Sequence, residues 1–343
     1  MPRTNRRSFL EVLSMAAIGG GTLLKTGDVR AAVQDAQEAG DEPWPAMTYR
    51  TLGRTGHNSS RLVYGCGAAL SRRPNDKLLE TALAAGVNTF DVGTSRYYND
   101  AERNLGPFAK RHQGDIFLIS KSGVYVDAGP HDEVTTALAK EAASNWSKLL
   151  DESLGQLGLE QVDAYYQMGA NNPGFIRAEE MKAAFDAAKA AGKVRFFGVS
   201  THENADAVLR AMIDTGWYDL AMIAITPAGW YDWNSRDILA QTPSMLDLKS
   251  LLDQAHEAGI GLVGMKAGRL LAGRTFLGSA EPQAFDQHYD EKLLEANLSH
   301  FQRSYAYVLE HGMDVVNADI QNYAILRENF VAAATSHELA GVA

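Results

Sequence analysis

From Met47 onward the chain repeats one pattern. A short apolar run is followed by a longer stretch whose apolar positions fall three and four apart, the signature of a buried strand and then an amphipathic helix. Strands are predicted at 62–67, 88–92, 116–121, 162–167, 196–200, 220–226, 261–266 and 315–320. Helices are predicted at 75–85, 100–111, 133–155, 178–191, 203–215, 245–258, 291–310 and 323–334, with Gly86, Gly192 and Gly312 as stop signals. Ahead of them, residues 49–56 and 59–62 read as a hairpin turning at His57 and Asn58. Eight strand–helix units in about 290 residues fit a closed (β/α)8 TIM barrel with an N-terminal β-hairpin. No Gly-x-Gly-x-x-Gly follows any strand, which counts against an open dinucleotide-binding sheet.

The first 31 residues break the pattern and read as an address. Asn5-Arg6-Arg7-Ser8-Phe9-Leu10, a modestly apolar run from Val12 to Leu24, and Val29-Arg30-Ala31 follow the order of a twin-arginine signal and its cleavage site. The apolar part is too short to span a bilayer. Residues 32–46 form an acidic, proline-ended linker, and 47–343 the barrel. Export through the twin-arginine machinery, as a folded protein destined for the periplasm or beyond, is therefore expected.

Composition narrows the chemistry. A formal net charge of −10 argues against a nucleic-acid partner, and cleavage after Ala31 would make the chain more acidic still. The single Cys66 precludes an internal disulfide and reads as a small core residue on a strand. No His, Asp and Glu set has metal-ligand spacing, so no metal is expected.

In a (β/α)8 barrel the chemistry gathers at the carboxyl ends of the strands. Asp91 stands at one such end, Tyr97 and Tyr98 lie in the loop after it, and Lys121 ends the next strand. A lysine beside a phenol eases its ionisation, and a carboxylate beside the lysine keeps that lysine charged. Lys266 and Arg269 follow the seventh barrel strand, where they could meet a pyrophosphate. Trp230, Tyr231 and Trp233 lie after the sixth, an aromatic cluster suited to a sugar or apolar ring. His202, in Ser-Thr-His202-Glu, reads as the solvated start of the helix after the fifth, with a substitute acid as the other reading.

With these residues in order, residues 47–334 resemble the aldo/keto reductase family. The likeness rests on Tyr49-Arg-Thr-Leu-Gly-Arg-Thr-Gly56, Gly86-Val-Asn-Thr-Phe-Asp91, Tyr97-Tyr98, Glu102 to Leu105-Gly106, Ser120-Lys121, Ala191-Gly-Lys-Val-Arg-Phe-Phe-Gly-Val-Ser200 and Leu326-Arg-Glu328-Asn329. It implies an NAD(P)-dependent oxidoreductase that passes a hydride between nicotinamide and a small carbonyl or alcohol, a sugar derivative among the candidates. Tyr98, rather than Tyr97, would act as general acid or base with Asp91 and Lys121. Ser200 and Thr201 would hold the carboxamide, and Arg327, Glu328 and Asn329 the adenine end. NADP(H) is expected over NAD(H), loaded before export.

Two departures from the family pattern stand out. Where the family places a histidine at the end of the fourth barrel strand, this chain has Met168, which cannot donate a hydrogen bond and is assigned to the substrate pocket with Tyr97 and the aromatic cluster. The phosphate-gripping region 317–322 lacks Lys and Arg. The alternative is a non-redox barrel that binds ligand or works by acid/base chemistry without cofactor.

Overall fold

Phe90 and Asp91 are sequence neighbours that face opposite ways, and the whole architecture follows from that alternation. In the computed structural model, which describes residues 44–272 and 280–339, Phe90 turns outward onto Phe108 of the following helix, ring centroids 5.1 Å apart. Asp91 turns inward to Lys121 and Asn317. The expected signal sequence, and the linker before Trp44, lie outside the described residues.

Eight parallel strands close into a barrel: β3 (Leu62–Gly65), β4 (Thr89–Asp91), β5 (Phe117–Ser122), β6 (Val162–Met168), β7 (Val194–Thr201), β8 (Leu220–Thr226), β11 (Gly261–Met265) and β12 (Val315–Asp319). Each pairs in parallel with the next, and β12 returns to β3, so the barrel has no free edge. Helices between the strands bury the outer face; Trp146 and Phe185, for example, pack on Phe197 of β7. This is the expected (β/α)8 fold.

The N-terminal hairpin, β1 (Tyr49–Thr51) with β2 (Asn58–Ser60), seals the floor. Its turn lies at Gly53–Thr55 and Gly56 rather than at His57 and Asn58, because Asn58 is already paired in β2. Gly53 sits at φ +46°, and a Cβ there would stand 2.4 Å from the Gly259 carbonyl oxygen, so only glycine lets the turn press this close against the barrel.

Three elements differ from the sequence expectation. The predicted helix 291–310 is two, Glu291–Glu295 and His300–Glu310, because Ser299 and Gln302 form a capping box that starts a new helix. The predicted helix 245–258 is shorter, Lys249–Glu257. After β8 the aromatic segment folds back as a hairpin, β9 (Gly229–Asp232) with β10 (Asp237–Ile238), and β9 extends the sheet antiparallel to the end of β8.

Candidate active site

At the carboxyl end of the barrel Lys121 Nζ lies 2.6 and 2.5 Å from the two Asp91 carboxylate oxygens and donates to the Val92 carbonyl at 2.8 Å. Asn317 Nδ2 donates to Asp91 Oδ2 at 2.8 Å. Both ions are nearly fully buried, which is tolerable because each charge is paired and hydrogen-bonded. Behind this pair, on the outer face of β5, Ser120 donates to the buried Glu102 carboxylate at 2.7 Å and fixes the strand against its helix.

Tyr98 completes the cluster. It ends a short helix, Ser95–Tyr98, whose cap Thr94 accepts from the Arg96 amide. The ring is held in a slot between two glycines. A Cβ on Gly67 would stand 2.5 Å from Cε1, and one on Gly93 would stand 3.0 Å from Cε2 and 3.0 Å from Lys121 Cγ. Neighbouring Tyr97 meets Tyr98 edge-on and is 57 % exposed.

One electrostatic expectation is reversed here. Burial, and then the Asp91 carboxylate, raise the Tyr98 phenol above its ordinary value. The ammonium of Lys121, 5.7 Å from the ring centroid, is committed to Asp91 and Val92 and does not make the phenol more acidic. Tyr98 is accordingly held protonated near neutral pH, a state suited to giving a proton.

These groups open onto a cleft of about 300 Å3 that runs over Ser200, His202, Met222 and Met265 to Lys266 and Arg269, and on to Asp319, Glu328 and Asn329. Ser200 Oγ and Arg269 Nε are buried without a hydrogen-bond partner among the described residues. Lys266 sits at φ +69°, an uncommon backbone conformation for a residue with a side chain, just past the end of β11. Burial, and then Arg269, bring its ammonium down to about 8.

Other expected residues fall elsewhere. Thr201 is turned away from the cleft, its hydroxyl donating to the Glu203 carbonyl at 2.6 Å. Arg327 lies over the Trp44 ring at 4.9 Å and does not line the cleft. Glu328 accepts from Ser299 Oγ at 2.5 Å, tying together two helices beside the cleft. Met168 pairs with Ser200 across β6 and β7 and so shares its inward face. Trp230 and Tyr231 are buried in the β9–β10 hairpin, and neither lines the cleft. Trp233 lies beside it, its ring 4.6 Å from Lys266 Nζ and 5.6 Å from the Arg269 guanidinium.

His202, expected to face solvent, instead lines the cleft with its ring 5.7 Å from that of Trp233. It is carried there because Thr201 and Glu203 form a local turn that delays the next helix to Ala205–Thr215. Sequence reading missed Asn317 as the partner of Asp91. The available signal was a polar side chain in the middle of the last strand, Val315–Asp319. Cys66 is buried, and burial pushes its thiol well up, which fits a packing role. Among the described residues no cluster of three or more His, Cys, Asp or Glu side chains could hold a metal ion.

A profile of the aldo/keto reductase family matches residues 62–325, a span that takes in all eight barrel strands and the residues of the cluster. The chain belongs to the aldo/keto reductase family. It is 31% identical over 149 residues to a 6-dehydroglucose reductase of Agrobacterium fabrum, an alignment covering 41% of this chain and 50% of that protein. The match therefore spans half the length of this curated relative. Two solved aldo-keto reductase structures from Pseudomonas aeruginosa superpose with TM-scores of 0.57 and 0.56 at 19% identity, each covering 84% of this chain and 95% of theirs. At that identity they support the barrel fold and carry nothing about substrate. The family match supports oxidoreductase chemistry at this site.

Proposed function

We propose that the chain reduces a small carbonyl compound, or oxidises the corresponding alcohol, with Tyr98 as the proton donor and a nicotinamide dinucleotide lying along the cleft. The observation that carries this is the continuity of one cleft from the Asp91–Lys121–Tyr98 cluster to the Lys266–Arg269 cations. The lining residues fit such a cofactor. Ser200 Oγ is a buried hydroxyl in want of a partner, as a carboxamide would be, and Arg269 Nε is an orphaned donor beside a second cation.

When bound, the dihydronicotinamide supplies the hydride; the chain supplies position and a proton. Asp91, fixed by Lys121 and Asn317, sets the electrostatics at the reacting oxygen. Tyr98, wedged between Gly67 and Gly93, points a protonated phenol at a fixed place. Tyr98 is preferred over Tyr97 because its ring is locked in that slot, whereas Tyr97 is largely in solvent.

Lys266 and Arg269 are the proposed phosphate contacts. NADP(H) is proposed over NAD(H), although the pyrophosphate these two cations would meet is common to both. Asp319 and Glu328, which line the same cleft, work against that preference, so paired titration with NADPH and NADH decides it. A sugar derivative is proposed as substrate, supported by the name of the Agrobacterium relative. The replacement of a family histidine by Met168 is part of this reading and implies a proton step resting on other donors.

The N-terminal segment supports export by the twin-arginine route, which moves folded proteins and would carry the cofactor out already bound. Recycling in place would then require a second substrate. Among the described residues no helix is long and apolar enough to cross a membrane. Absorbance and mass spectra of the protein as isolated, followed by a carbonyl panel with added dinucleotide, test the proposal. Turnover of no carbonyl by a dinucleotide-loaded protein would defeat it.

A further inference from the structure

An ammonium group in a folded protein is usually met by a carboxylate, and several lysines of this barrel follow that rule. Lys121 pairs with Asp91, Lys182 with Asp186 and Lys193 with Asp151. Lys266 differs. Among the described residues its Nζ forms no ion pair and no hydrogen bond, and it lies instead 4.6 Å from the centroid of the Trp233 ring. The residue stands at φ +69°, and its carbonyl accepts from the Arg269 amide at 2.8 Å, a turn that brings both side chains to the cleft. Arg269 faces the same indole at 5.6 Å, with its buried Nε unpartnered among the described residues. An amine without a counter-ion and a guanidinium with a spare donor thus share one cleft of about 300 Å3, room enough for a small phosphorylated ligand.

The charges around the amine set its state. Arg269 on the same loop and Lys121 across the barrel oppose the ammonium, while Asp319 and Asp91 favour it. His202, at the end of β7, is held uncharged near neutral pH by burial, and Arg236 lies 6.0 Å from the Trp233 ring. Burial and then Arg269 prevail and bring Lys266 to about 8. Near that pH roughly half of it is free amine, on the order of 100-fold more than an ordinary lysine offers. An unprotonated amine beside a second cation is an activated nucleophile.

We propose that Lys266 is a covalent capture site for anionic aldehydes, its amine condensing with the carbonyl while Arg269 holds the phosphate or carboxylate of the same molecule. The Nζ lone pair forms the N–C bond and the carbonyl π pair moves onto oxygen. That oxygen takes one proton from nitrogen and one from solvent and leaves as water. A protonated imine remains, and nothing is oxidised or reduced.

The test uses the full chain freed of dinucleotide, with pyridoxal 5′-phosphate as probe. Sodium borohydride then reduces the imine to a stable amine, and peptide mass mapping locates it. At pH 8 Lys266 is expected to label at least about tenfold faster than any other lysine, and its rate should rise through about pH 8 and level off. Lys266→Arg should abolish the fast phase; should that variant fail to fold, the wild-type peptide map decides alone. Arg269→Gln should slow labelling by pyridoxal 5′-phosphate by more than it slows labelling by pyridoxal, which has no phosphate. Labelling spread over the exposed lysines with Lys266 no faster, or equal rates at Lys266 for the two probes in the wild type, overturns the proposal. NADPH or NADH at ten times its Kd should slow capture about tenfold. That arm alone rests on the function proposed above: fast capture that neither dinucleotide slows would count against the dinucleotide site and leave the capture site standing.

Discussion

Asn317 donates its side-chain amide to Asp91 across the mouth of the barrel, at 2.8 Å and 226 positions away in sequence. The last barrel strand thereby holds the carboxylate that the second barrel strand supplies, and barrel closure and site assembly are the same event. Asn317→Ala deletes this bond and leaves a buried carboxylate oxygen with one donor fewer. A hydrogen bond to a charged group contributes roughly 1.5–3 kcal/mol. The variant should lose that order of stability in a denaturant titration, with an unchanged slope, and should also turn over more slowly. An unchanged midpoint would mean that Asp91 does not depend on β12.

Lys121→Met removes one member of the buried pair and strands the other. Breaking such a pair typically costs about 3–5 kcal/mol, so a marked drop in the unfolding midpoint is expected together with loss of activity. Asp91→Asn combined with Lys121→Met removes both charges and should recover part of the stability but none of the turnover. Recovery of turnover in the double variant would separate the pair from the chemistry.

Tyr98→Phe keeps the ring in its slot and removes the proposed proton donor. A drop of about 10²- to 10⁴-fold in kcat is expected, with dinucleotide affinity nearly unchanged. Tyr97→Phe should behave as wild type, since that phenol is mostly in solvent. Gly67→Ala attacks the same site by another route. Its methyl would stand 2.5 Å from the Tyr98 ring, so it should lower kcat by displacing the phenol. Steady-state kinetics of the three variants distinguish these outcomes.

The pH dependence of cofactor binding follows from Lys266. Its ammonium, brought down to about 8 by burial and by Arg269, is charged below that pH and neutral above it. Asp319, Lys121 and Asp91 also act on it, Asp319 and Asp91 favouring the charged form. Affinity for a dinucleotide should therefore be full at pH 6–7 and fall as pH rises through about 8. Lys266→Arg, always charged, should flatten the profile. Lys266→Met should also flatten it, at an affinity lower by roughly 10- to 100-fold, as loss of a charge-assisted contact implies. Fluorescence titrations from pH 6 to 9.5 check both variants.

His202 sets an acid limit to stability. Its folded value near 3 lies below the ordinary 6.5, so between those values the unfolded chain binds the additional proton. That contribution makes the protein progressively less stable as pH falls from about 6.5 toward 3. His202→Gln should lose less stability than wild type over that window, as read from thermal midpoints.

The barrel was legible because its signal is repeated: eight apolar runs, each followed by a helical pattern, leave few alternatives to closure. Asp91 and Lys121 were legible because polar side chains at apolar strand ends are conspicuous. Features set by cooperation between distant segments were not. The polar Asn317 in the last strand marks a candidate but not its partner, and nothing near Arg327 announces that its guanidinium lies over Trp44. His202 was misread because a Ser-Thr-His-Glu run looks like a helix start, and only the Thr201–Glu203 turn shows that the helix begins later. The direction of the Tyr98 shift was misjudged for a similar reason. Sequence shows which charges are near, but burial decides which effect wins.

The proposed dinucleotide site runs along one cleft from the Asp91–Lys121–Tyr98 cluster to the Lys266–Arg269 cations. Titration of the cofactor-free full chain with NADPH and with NADH, followed by tryptophan and nicotinamide fluorescence, tests it most directly. Saturable binding that weakens in Lys266→Met, yet persists in Tyr98→Phe, is the result predicted. No saturation with either dinucleotide, or binding indifferent to Lys266, would contradict it.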